Sequence, residues 1–182
     1  MYVKRLLGSL CLGLILVWMG PVFATELTQK YEKFLLGKLA IAQQPPARLA
    51  EFSSDGCSGG LSDAWAGFAT LMPLFRERYG DKPPWEHCCV AHDRVYWRGE
   101  TEDGFEKRKQ ADLALKQCVI ETGQRLKKGL VAQYDGSEAK MMDGFSVAAN
   151  LIYGAVRVGG QPCSIFPWRW GYGWPICSVF EQ

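Results

Sequence analysis

The sequence has almost no alternation of apolar and polar residues of the kind a half-buried strand requires, and it carries no internal repeat and no low-complexity tract. These absences argue against a sheet-based fold or a solenoid and leave the α-helix as the main element. Net charge is lacking as well. The whole chain has 21 Lys and Arg against 19 Asp and Glu; Lys4 and Arg5 are the only charged side chains before Glu26, so beyond residue 24 the balance is 19 against 19, a formal net of zero. Nothing in that balance advertises a nucleic-acid partner. Also missing is any C-x-x-C pair matched to a distant H-x-x-x-H, the usual spacing of a structural zinc site. Finally, Gly60-Leu61-Ser62-Asp63-Ala64 approaches the G-x-S-x-G nucleophile elbow but has no strand before it. Ser62 therefore reads first as a helix cap, with a serine hydrolase built on it as a remote alternative.

What is present begins with an export signal. Lys4 and Arg5 precede an apolar run from Leu6 to Trp18, and Pro21-Val22-Phe23-Ala24 ends it with residues suited to a signal peptidase. Residues 1–24 are thus expected to be a signal peptide and the protein to be secreted or periplasmic, with a membrane anchor as the alternative if the segment is uncleaved. Residues 25–182 fit one domain. They hold six cysteines, Cys57, Cys88, Cys89, Cys118, Cys163 and Cys177. An even number in an exported chain predicts three disulfides, with about 15 pairings open to sequence alone. The rival is a metal centre made of His87, Cys88, Cys89 and His92.

Helical periodicity predicts a first helix from Glu26 to Ala40, stopped by Pro45-Pro46. Ser53 to Gly60 is a loop by composition, able to turn carbonyls inward. A second helical segment is expected from Ser62 to Tyr79, with Pro73 kinking or splitting it. Pro83-Pro84 suit the start of a third, ended by Gly99. A fourth is expected from Asp103 to Thr122, stopped by Gly123, and a fifth from Ser137 to Val158 before Gly159-Gly160. The segment from Gln161 to Gln182 is irregular and aromatic.

The stretch WEHCCVAHDRVYWRG, Trp85 to Gly99, concentrates the chemistry. On a helix Cys88, His92 and Tyr96 are spaced by four and share a face, and Asp93 lies within the same turn as His92. In the next helix Asp112 precedes Cys118 by six residues. A Cys88–Cys118 bond would set the two helices antiparallel and could bring Asp112 beside His92, where a carboxylate would fix the imidazole tautomer.

Cys-Cys-x-x-His-Asp-x-x-Tyr, a Gly-rich loop containing a cysteine upstream, and an Asp followed six residues later by Cys together resemble the secreted phospholipase A2 family, in particular its divergent members with a short calcium loop. The resemblance covers roughly Asp55 to Val119. It implies a mainly α fold: a disulfide-stapled pair of antiparallel helices, additional helices and an irregular C-terminal tail. It implies bonds Cys57–Cys89 and Cys88–Cys118, which leaves Cys163 for Cys177. His92 would be the general base, Asp112 its orienting partner and Tyr96 the support of that aspartate; Ca2+ would be held by Asp93 with loop carbonyls near Gly56, Ser58 and Gly60. The family's usual cysteine three residues after the histidine and its partner before the orienting aspartate are absent together, replaced by Val95 and Ala111.

The activity so implied is calcium-dependent release of fatty acid from glycerophospholipids at a membrane surface, without a serine or cysteine nucleophile. Such general-base catalysis is typically worth about 10²–10⁴-fold. An inactive, phospholipase-like secreted binding module is the main alternative. Two features bear on lipid contact. The aromatic run Phe166 to Trp174 has the composition of an interfacial anchor or of a cap on the core. The basic run Lys107-Arg108-Lys109 suits anionic head groups or, more commonly, a solvated helix face.

Overall fold

The computed structural model describes residues 26–57, 80, 82–134 and 137–177. The signal segment, Ser58, Gly60 and the expected helix from Ser62 to Tyr79 lie outside the described residues, so the calcium-loop carbonyls at those two positions and the Ser62 alternative receive no structural account. Among the described residues the secondary structure is helical, with no strand: α1 (26–42), α2 (Glu86–Arg98), α3 (Gly104–Tyr134) and α4 (Glu138–Gly159). Three disulfides tie the chain together: Cys88–Cys118 joins α2 to α3, Cys57–Cys89 fastens the loop before α2 to that helix, and Cys163–Cys177 closes the C-terminal segment on itself. Such bonds belong to an oxidising, extracellular-type compartment. No described helix is long and apolar enough to cross a membrane.

Helix α3 is 31 residues long and does not stop at Gly123, contrary to the expectation from sequence. Gly123 is a packing residue. A Cβ there would lie 2.4 Å from Cγ of Phe145, so the missing side chain is what lets α4 lie close. The buried positions Arg108, Ala111, Asp112, Leu115, Val119, Thr122 and Leu130 continue the helical period through that glycine, and the stripe holds the helix together on both sides of it. Ser137 caps α4, its hydroxyl accepting from the Lys140 amide at 3.2 Å.

Contacts fix the helix directions. Cys88 bonds Cys118, His92 meets Asp112, and Tyr96 meets Arg108, so α2 ascends as α3 descends. Lys127 pairs with Glu138, Gly123 faces Phe145 and Asp112 meets Arg157, so α3 and α4 are likewise antiparallel. One core cluster joins Trp85, Leu115, Val119, Phe145, Ile152 and Val156; a second joins Leu35, Leu36, Leu39, Tyr96, Ala111 and Trp170.

The C-terminal loop closes the end of α2. Its last turn presents four carbonyls with no partner inside the helix. Val95 O accepts from Gly99 N, Tyr96 O from Gly171 N, Trp97 O from Gly173 N, and Arg98 O from Trp174 Nε1. Gly99 (φ 54°) and Gly171 (φ 78°) meet so closely that a Cβ on Gly99 would stand 2.1 Å from Gly171 Cα. Within the aromatic run, Trp170 is fully buried against Tyr96 and Trp174 caps α2, so these two rings serve the fold. Ile165 and Phe166 remain exposed.

Candidate functional site

His92 and Asp112 are brought together. The paired helices place the imidazole Nε2 at 2.9 Å from Asp112 Oδ1, and the Tyr96 hydroxyl donates to the same oxygen at 2.6 Å. Asp112 is fully buried and His92 nearly so. Because Nε2 donates its proton to a carboxylate, the lone pair belongs to Nδ1. That nitrogen lies 3.9 Å from Asp93 Oδ1, beyond hydrogen-bonding range, and is a base with an anionic neighbour.

Burial opposes the charged imidazolium, but the hydrogen bond that His92 donates to Asp112 and the two nearby carboxylates outweigh it and hold the His92 pKa above its ordinary value. Burial likewise pushes the Asp112 carboxyl upward; donation from His92, Tyr96 and Arg157 reverses this and leaves it below the usual carboxylate range. Burial and the Asp112 charge keep the Tyr96 phenol protonated, its pKa well above the ordinary one.

Beneath this pair is a buried charge network that the sequence did not reveal. Arg108 donates from Nε and Nη2 to the two carboxylate oxygens of Glu32, each at 2.6 Å, and both side chains are fully buried. Arg157 bridges the carboxylates, with Nη1 at 2.8 Å from Asp112 Oδ2 and Nη2 at 3.1 Å from Glu32 Oε2. Two guanidiniums thus match two carboxylates, the condition for holding charge away from water. The expected solvated basic face at Lys107 to Lys109 is corrected accordingly. Arg108 points inward, while Lys107 is half-buried and paired with Glu100 at 2.6 Å.

The other side of His92 opens on a cleft of about 30 Å³, sufficient for a water molecule. Asp55, Gly56 and Asp93 form its polar wall; Leu115, Val156 and Trp168 form its apolar wall. The loop carrying Gly56 is tied to Asp93 through Ser54, whose hydroxyl accepts from Gly56 N at 3.1 Å and donates to Asp93 Oδ2 at 2.5 Å. Gly56 has φ 72°, and a Cβ on it would meet Glu86 Oε1 at 2.7 Å, so glycine is required at that turn. Cys57–Cys89 fastens the same loop to α2. Asp55, not foreseen from sequence, adds a second carboxylate whose pKa is raised by burial and then by the Asp93 charge. Hard oxygen donors from Asp93 on α2 and Asp55 on the loop pinned to it suit a hard divalent cation better than a soft one.

His87 stands on the exposed side of α2, with Nε2 at 3.5 Å and 3.7 Å from the sulfurs of Cys88 and Cys118. Those sulfurs are bonded to each other at 2.02 Å, and Cys89 is bonded to Cys57. The zinc alternative thereby loses its thiolates. Compared with known proteins, the chain matches no family model, no curated sequence and no solved structure.

Proposed function

We propose that the protein is a secreted or periplasmic calcium-dependent esterase of phospholipase A2 type that releases fatty acid from glycerophospholipids. The observation that carries the reading is the placement of His92: Nε2 lies 2.9 Å from a buried carboxylate, and the imidazole lines a cleft with room for a water beside Asp93. The antiparallel pair α2–α3, stapled by Cys88–Cys118, supports this reading, because the sequence motif implies a disulfide-stapled helix pair of that kind. The phospholipid membrane surface is the partner, and processing of residues 1–24 as a signal peptide would deliver the enzyme outside the cytoplasm.

In this mechanism Asp112 holds the His92 ring with Nδ1 facing the cleft. Nδ1 takes a proton from a water molecule while the water oxygen attacks the ester carbonyl. The resulting tetrahedral oxyanion collapses, the C–O bond to the glycerol oxygen breaks, and the imidazolium returns its proton to that oxygen. The products are a fatty acid and a lysophospholipid. Asp112 remains ionised throughout and stabilises the imidazolium, with Tyr96 and Arg157 sharing its charge. Asp93 and Asp55, with the Gly56 carbonyl, are the groups that would hold Ca2+, and when bound the ion would polarise the ester carbonyl. Leu115, Val156 and Trp168 give the site of that water an apolar wall.

The test is fatty-acid release from mixed phospholipid vesicles, with calcium and with chelator. Activity that needs calcium and vanishes in a folded His92→Gln protein is expected. Hydrolysis by His92→Gln near the parent rate would remove the base from the mechanism, and no hydrolysis by the parent would favour a binding module.

A further inference from the structure

The four charged groups beneath His92 are not equivalent, and the difference singles out Arg157. Asp112 divides its two oxygens between two tasks. Oδ1 faces His92 and Tyr96; Oδ2 faces Arg157 Nη1 at 2.8 Å. Arg108 does not duplicate that bond. Its Nη1 stands 3.5 Å from Oδ2, donating instead to Val156 O and the Tyr96 hydroxyl, each at 3.1 Å, and its Nε and Nη2 are taken by Glu32. Arg157 is itself held in place by Glu32 Oε2 at 3.1 Å.

A carboxylate gripped through one oxygen pivots about the bond to its Cβ, and a pivot of Asp112 swings the imidazole that hangs from it. A grip on both oxygens fixes the plane. We propose that Arg157, reaching over from α4, is a positioning residue: by clamping Oδ2 it fixes the Asp112 carboxylate and so the direction in which His92 presents Nδ1 to the cleft. The same reasoning separates Arg157 from Arg108. Removing Arg157 leaves Glu32 with both oxygens still bonded to Arg108, so the seat of α1 survives; what disappears is the second grip on Asp112. Arg157 is also the one member of the charged set with solvent access, its side chain 18% exposed against 0% for Glu32, Arg108 and Asp112. The kinetic part of the inference rests on the reading of His92 as a base; the structural part does not.

The experiment uses the oxidised, full-length protein and its Arg157→Gln and Arg157→Lys variants. The proton on His92 Nε2, bonded to a buried carboxylate, should give a low-field NMR signal. The chain has two histidines, so a His87→Gln background makes the assignment unambiguous. Arg157→Gln is expected to shift or broaden that signal while the melting temperature stays close to the parent's. In the vesicle assay kcat should fall by about 10–100-fold with KM nearly unchanged, the mark of a misaligned group and not of lost binding. Arg157→Lys can reach one carboxylate but not both, so its kcat should lie between the two. An unchanged Nε2–H signal in Arg157→Gln overturns the proposal, as does a loss of kcat and melting temperature together. If the parent hydrolyses no lipid yet the signal responds, the esterase reading falls and the positioning role stands. If the parent is active and Arg157→Gln equals it in rate and signal, the reverse holds.

Discussion

Replacing Glu32 by leucine removes one charge from a balanced set of four, and the structure sets the size of the effect. Glu32 and Arg108 are both fully buried, and Arg108 loses both bonds to Glu32, each 2.6 Å long. A guanidinium stranded in this way has no water to turn to, and breaking a buried pair from one side costs about 3–5 kcal/mol. That is a large part of the roughly 5–15 kcal/mol by which domains are stable. At about 2–4 °C per kcal/mol for a chain of this size, the midpoint should drop by roughly 6–20 °C. The double variant Glu32→Leu/Arg108→Met removes both charges and leaves Asp112 matched by Arg157 at 2.8 Å. It should regain much of the loss, giving a coupling of roughly 2 kcal/mol or more between the two sites. Thermal and urea unfolding of the parent, both single variants and the double, followed by circular dichroism with disulfides intact, measures this directly. A Glu32→Leu midpoint equal to the parent's, or strictly additive losses in the double, would refute the claim that this pair is a buried, mutually dependent charge couple.

The remaining predictions concern the cleft and the long helix. Asp93→Asn removes a charge from the polar wall shared with Asp55, so calcium affinity measured by calorimetry should weaken, and fatty-acid release should fall with it; calcium binding as tight as the parent's would take Asp93 out of the ion site. Gly123→Ala should destabilise despite alanine's advantage of about 1 kcal/mol in a helix, because overpacking against Phe145 costs about 1–3 kcal/mol. Gly129→Ala in the same helix meets nothing within 4 Å and should stabilise by roughly that alanine advantage, so the two melting shifts are expected to have opposite signs.

Much of the frame is legible in the chain because its signals are local. Pro83-Pro84 before α2, Gly99 after it, Ser137 at the start of α4 and Gly159-Gly160 at its end all act within one turn of themselves. Gly123 misled for an instructive reason. Glycine ends a helix by adopting a left-handed conformation, as Gly99 does at φ 54°, but it also marks places where another element lies close. Composition at a single position does not separate these uses. The flanking pattern does: Val119, Gly123, Leu126 and Leu130 keep a helical spacing, so the apolar stripe continues beyond the glycine and signals that the helix does too.

The site divides along the same line. His92, Asp93 and Tyr96 share one helix, and Asp112 precedes a cysteine whose partner is on that helix, so their meeting can be anticipated from spacing and from a motif. Glu32 and Arg157 cannot, since Glu32 is 76 residues from Arg108 and 125 residues from Arg157. Yet one sign was available. Arg108 lies four residues before Asp112, hence on the same face of α3, and the two are 3.5 Å apart at closest charged atoms. If Asp112 must face inward to orient a histidine, the residue one turn away must face inward too. An arginine carried into that interior requires an acid to meet it, and an acid already engaged by a histidine, a tyrosine and a guanidinium cannot serve alone. Lys107 to Lys109 is therefore not one basic run, because burial on a helix is decided by face and not by neighbourhood in sequence. Arg108 differs from its two neighbouring lysines in needing a buried acidic partner, which is the role Glu32 fills from α1.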